Sequence, residues 1–216
     1  MSANTLTVRP QGLGEEIANA VSHWLGCALG IAGLILMLVQ AIGERSGLTI
    51  VCAVVYGVSL IILYGVSGMY HSLPKSKIKA IFRVFDHCSI YLLIVGSYVP
   101  VALLLVGGHI GWILCAVNSC CAVVGIILNC MSVNRWEKVS LSLYVIMGWS
   151  VVFVFKAVVE AMPAAGLVLL ALGGVMYTAG IVFYKANNIK YMHFVWHLFV
   201  LAGSVLQFMA IYFYCF

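Results

Sequence analysis

The stretch from His87 to Asn134 reads HCSIYLLIVGSYVPVALLLVGGHIGWILCAVNSCCAVVGIILNCMSVN, 48 residues without a lysine, arginine, aspartate or glutamate. A helix needs about 20 apolar residues to cross the hydrocarbon core of a bilayer. The stretch is therefore long enough for two spans, and Gly107 to Gly111, Gly-Gly-His-Ile-Gly, supplies the break between them. Similar uncharged runs lie on either side: 27 residues from Ile17 to Gly43, 29 from Ser46 to Pro74, then Val139 to Phe155, Ala161 to Tyr184 and Tyr191 to Phe216.

These runs predict an all-α integral membrane protein, a seven-transmembrane helix bundle. The expected helices are 17–43, 47–73, 84–106, 110–132, 138–159, 164–185 and 191–215. They form one domain, 17–216, after a short tail over 1–16, which lacks the features of a cleaved secretory signal. Composition agrees: 64% of the 216 residues are hydrophobic, 8% are charged, and mean hydropathy is +1.14. A soluble domain carries roughly 25% charged residues to hold water at its surface. The eight cysteines lie almost entirely within apolar runs and include no C-x-x-C pair, which argues for small packing side chains over a disulfide framework.

The net charge of +5 reads as topology, not as a nucleic-acid surface. With seven spans, the tail and the loops after the second, fourth and sixth helices share one side. That side holds Arg9, Lys75, Lys77, Lys79, Arg83, Arg135, Lys138, Lys185 and Lys190, against Arg45 and Lys156 on the other. Excess Lys and Arg mark the cytoplasmic face. The expectation is an N-terminus in the cytoplasm and a C-terminus outside, in a plasma membrane whose lipids are the chain's partners.

Ionisable residues within spans are costly and mark functional sites. Here they are His23, His71, Asp86, His87, His193 and His197. In the seven-helix topology all six fall near the inner face. Ser67 with His71, His193 with His197, and Asn19 with His23 are i, i+4 pairs, each on one helix face. Two imidazoles one turn apart can chelate an ion, and a third histidine completes a zinc site with an open position that activates water. Asp86 is the carboxylate expected at that depth to take up the water's proton. His87, next in sequence, should point about 100° away and pack at an interface. Glu15 and Glu16 sit where carboxylates favour a helix N-terminus. His109 belongs to an outer loop, and Lys156 and Glu160 form an interfacial i, i+4 ion pair.

Taken in order, Glu16-x-x-Asn19-x-x-x-His23, Ser67-x-x-x-His71, Asp86-His87-Cys88-Ser89-Ile90-Tyr91 and His193-x-x-x-His197 resemble the progestin and adipoQ receptor family in its bacterial haemolysin III branch. Gly96-Ser97-Tyr98-Val99-Pro100, Met147-Gly148-Trp149, Gly173-Gly174-Val175-Met176-Tyr177 and Trp196-His197 running on to Gly203-Ser204 extend the resemblance over the chain from Glu15 onward. The resemblance implies a seven-helix bundle with a cytoplasmic N-terminus. It implies zinc ligands at His71, His193 and His197, with Asp86 holding the zinc-bound water and Ser67 beside it. Relatedness to membrane ceramidases implies a metal-dependent hydrolase acting on a lipid amide or ester, in a protein of membrane homeostasis. Two other functions stay open at this point: a pore-forming cytolysin, and a sensor or structural protein in which zinc ties the second and seventh helices together. The sequence specifies no oligomeric state.

Overall fold

The computed structural model describes residues 9–44 and 46–216; the basic residue expected outside, Arg45, and residues 1–8 of the tail lie beyond them. The described residues form helices α1 (Leu13–Gly43), α2 (Gly47–Ser72), α3 (Lys77–Pro100), α4 (Gly108–Gly148), α5 (Phe155–Ala161), α6 (Ala164–Lys185) and α7 (Met192–Tyr214). No strand occurs among them. A π-helical stretch, Val101–Val106, continues α3 past Pro100, and a 3-10 stretch, Ser150–Val154, leads into α5. Among the described residues, six helices are long and apolar enough to cross a membrane: Leu13–Gly43, Gly47–Ser72, Lys77–Val106, Gly108–Ala161, Ala164–Lys185 and Met192–Tyr214.

That count differs from the seven separate helices expected, and the reason is local. Arg135, Glu137 and Lys138, read as a loop, are helical, so the segments expected over 110–132 and 138–159 run on as one element. Only Ser132 departs, with extended backbone at φ −173° and ψ 110°. One extended residue is enough to turn the chain. The Ser140 hydroxyl donates to Asn129 Oδ1 at 2.8 Å, and Asn118 Nδ2 donates to Ser150 Oγ at 3.0 Å. Both pairs are centred near residue 134, so the two arms of α4 run antiparallel.

Helix ends follow their residues. Ser46 and Ser76 accept from the Thr49 and Lys79 backbone N–H groups, capping α2 and α3. Leu73 is extended, as the residue before Pro74 must be, and ends α2. Gly107 (φ +66°) and Gly108 (φ +55°) make the reversal before α4 in a conformation that side chains disfavour. Tyr191 enters the left-handed region at φ +63° without being glycine, and α7 starts from it.

α1 packs on α2, α2 on α3, and α6 on α7, while α1 also meets α7. This brings the end of α2 against the start of α7. Glycines permit the close contacts: a Cβ on Gly57 would stand 2.6 Å from Leu34, and one on Gly180 2.8 Å from the Trp196 ring. Beyond the buried core, Val39, Ile113, Phe153 and Val182 are among many large apolar side chains left exposed, as a lipid-facing surface requires.

Candidate metal centre

His71 lies in the last turn of α2, and His193 and His197 lie on successive turns at the start of α7. Each offers one ring nitrogen, and the three nitrogens lie within 4.8 Å of one another. The ring centroids are 4.7 to 5.2 Å apart. His71 is 4% exposed and His197 1%. Nε2 of His71, Nε2 of His193 and Nδ1 of His197 are buried without a hydrogen-bond partner among the described residues. A buried polar atom left unpaired costs about 1–3 kcal/mol, and each of the three rings carries one such atom. An ion shared by the three would satisfy all of them, so the cluster could hold a metal ion.

Ser67 and Asp86 join His23, His193 and His197 around a small chamber of about 50 Å³. The Ser67 hydroxyl, one turn before His71, is likewise buried without a partner. Asp86 is half-buried on α3, and the recorded hydrogen bond to it uses its main-chain carbonyl, which accepts from Ser89 Oγ at 2.6 Å. Of the site residues expected from sequence, Ser67, Asp86, His193 and His197 line this chamber, and His71 belongs to the histidine cluster without lining the chamber. His87 borders it too, contrary to the expectation that it turns away, with Nδ1 2.9 Å from the Arg83 carbonyl oxygen. His109 is exposed as anticipated but lies in the first turn of α4 and not in a loop, and Lys156 and Glu160 are 3.9 Å apart at the surface, as anticipated.

Two residues were given too small a part by the sequence. Glu16, read as a helix-terminus charge, has Oε2 2.7 Å from His71 Nδ1 and accepts at Oε1 from Lys79 Nζ at 2.9 Å. Its spacing from His23 was visible in the motif, but its partners come from α2 and α3, which no local pattern reveals. His23 is 4% exposed, neither of its ring nitrogens has a partner among the described residues, and it stacks on His197. Glu15 does act at its helix terminus, accepting from the Gly12 N–H at 2.8 Å and pairing with Arg9. It also accepts from the Tyr191 N–H at 2.8 Å, which fixes the first residue before α7.

A second, larger chamber of about 270 Å³ lies beside the first. Leu63, Ile90, Leu141, Tyr144, Trp196 and Val200 border both, so the histidine-bearing space and the larger one share a wall. Most of the larger lining is aliphatic or aromatic, with Ser97, Thr178 and Gln207 as isolated polar groups.

Comparison with known proteins agrees with the motifs. The family model described as "Haemolysin-III related" matches residues 11–208. The chain is 38% identical over 209 residues to "Hemolysin-3" of Bacillus cereus, covering 97% of this chain and 95% of the relative. It is 37% identical over 201 residues to the "Hemolysin-3 homolog" of Bacillus subtilis (strain 168), covering 93% and 94%. "Monocyte to macrophage differentiation factor" of Homo sapiens is 31% identical over 174 residues, covering 76% and 70%. With six helices apolar enough to cross a bilayer, this is a multi-pass membrane protein, of the inner membrane in bacteria. The chain belongs to the haemolysin-III family, the bacterial branch of the progestin and adipoQ receptor grouping that its motifs resemble.

Proposed function

We propose that this protein is a zinc-dependent hydrolase of a membrane lipid amide or ester, with its site near the cytoplasmic end of a bundle that crosses the membrane seven times. The seventh crossing comes from α4. Its 41 residues would extend about 60 Å as one straight helix, twice the roughly 30 Å hydrocarbon core. A reversal at Ser132 fits two crossings, the second arm being continued past α4 by the Ser150–Val154 stretch and α5. The lysine and arginine bias then puts the N-terminus inside and the C-terminus outside.

The observation that carries the reading is the pair of chambers. His193 and His197 of the buried three-histidine cluster line a small chamber together with Ser67 and Asp86, and that chamber shares a wall with a larger one whose lining is mostly apolar. A lipid carbonyl can be presented to the first while its acyl chain occupies the second. Three imidazoles with no cysteine suit zinc, which when bound polarises a carbonyl and activates water. His71, His193 and His197 would hold it. Asp86 would take up a proton at its carboxylate and return it to the leaving group. Ser67, with a free hydroxyl beside His71, would orient the carbonyl or water. Trp196 and Tyr144, in the shared wall, keep bulk water from the acyl side.

A second reading has its own support: His71 is on α2 while His193 and His197 are on α7, so a bound ion would link the two helices in a purely structural role. Elemental analysis and lipidomics separate the two. Both readings require stoichiometric zinc in the wild type and its loss in His71→Ala. Only the hydrolase alters the lipid profile of overexpressing cells in a way that Asp86→Asn abolishes while keeping zinc.

A further inference from the structure

Glu16 and Lys79 contribute nothing to the chambers just described, yet they end on one of the histidines. Glu16 Oε2 is 2.7 Å from His71 Nδ1, inside hydrogen-bond range. The ionised carboxylate can only accept, so the ring proton sits on Nδ1 and the lone pair on Nε2. That Nε2 is the buried, unpartnered nitrogen of His71. Glu16 thus selects the tautomer that leaves His71 free to ligate, and it fixes the ring plane.

The carboxylate is itself held. Its other oxygen accepts from Lys79 Nζ at 2.9 Å, and the same ammonium donates to the Leu73 carbonyl at 3.0 Å, two residues past His71. Lys79 also lies 4.9 Å over the Tyr70 ring, next to His71. Its side chain is 13% exposed and that of Glu16 23%, so solvent screens the triad only partly. Glu15, one residue earlier, spends its carboxylate on Gly12, Arg9 and Tyr191. The contact to His71 is therefore specific to Glu16 and not a general property of acids at this helix end.

We propose that Glu16 is the positioning residue of His71, and that Lys79 holds Glu16 in place, so that α1 and the start of α3 tune a metal ligand carried by α2. The proposal rests on the zinc reading of the histidine cluster and adds two residues to it. A carboxylate behind a ligating imidazole raises its basicity and orients it, and removing such a partner typically weakens metal binding about 10- to 100-fold.

The test is a zinc dissociation constant, by competition with a chelator, on the purified full-length protein in lipid nanodiscs. Glu16→Leu should weaken zinc binding about 10- to 100-fold, Glu16→Gln less, since its amide oxygen still accepts from His71. Lys79→Met should weaken binding in the same direction by a smaller factor, and it decides the matter if the Glu16 variants do not fold. A merely structural ion pair would lower Tm equally with and without zinc. A positioning residue instead shrinks the rise in Tm that zinc produces. Unchanged affinity in Glu16→Leu, or in Lys79→Met where the former cannot be made, overturns the proposal while leaving the zinc reading intact. A wild type that binds no zinc overturns both.

Discussion

The ring of His23 lies 3.6 Å from that of His197, with an interplanar angle of 17°, and the edge of the same His23 ring meets Tyr64 at 5.1 Å. A residue of α1 thereby packs flat on a candidate ligand from α7. Stacking of this kind restricts rotation about the His197 side chain without using either of its nitrogens.

Replacement of His23 should separate packing from chemistry. His23→Phe keeps a flat ring and should retain zinc at wild-type stoichiometry. His23→Ala opens a cavity beside His197, at a cost of about 2–5 kcal/mol for a large-to-small core change, offset in part by removing two buried nitrogens that have no partner among the described residues, and should loosen the His197 ring. Zinc content and Tm of the two variants, measured side by side, check this.

The start of α7 depends on Glu15. Its carboxylate accepts from the N–H of Tyr191, a residue held at φ +63°. Hydrogen bonds to charged groups contribute about 1.5–3 kcal/mol, so Glu15→Ala should lower stability by that order. It should also loosen the first turn of α7, detectable as faster amide hydrogen exchange over Met192 to His197.

The reversal in α4 rests on polar pairs between its arms. Asn129 accepts from Ser140 and lies 3.3 Å from the Tyr144 hydroxyl. A double-mutant cycle of Asn129→Leu with Ser140→Ala should give a coupling of about 1 kcal/mol, the typical net value of such a bond. A coupling near zero would remove this pair as a support of the hairpin.

Close glycine contacts give a further check. A methyl at position 180 must displace Trp196, which stands beside His197 and borders both chambers. Gly180→Ala should cost about 1–3 kcal/mol by overpacking and weaken zinc binding as well. Gly43→Ala, where the added methyl meets nothing within 4 Å among the described residues beyond its own helix backbone and chain neighbours, should leave both unchanged.

Much of the site was legible because charge is scarce. In a chain with 8% charged residues, the i, i+4 spacing of His193 and His197 and the isolation of Asp86 stand out against apolar surroundings. Glu16 did not stand out, since an acid in a first helical turn already has a local explanation, and its contacts with His71 and Lys79 exist only after three helices pack. His87 was placed by helical angle alone, which ignores how widely a chamber can border one helix. The glycine turn at Gly107 announced itself through residues that need positive φ. The turn at Ser132 did not, because extended backbone is open to any residue and the charges after it suit a helix as well as a loop.

Zinc-dependent hydrolysis at the histidine-lined chamber is tested by fatty-acid release. Purified wild-type protein and Asp86→Asn, matched for zinc content, are each incubated with vesicles of total membrane lipid. Release by the wild type should stop on chelation, return with zinc, and fall at least about 100-fold in Asp86→Asn, the scale of a lost general base. Equal release by the two proteins, or none from zinc-loaded wild type, would contradict it.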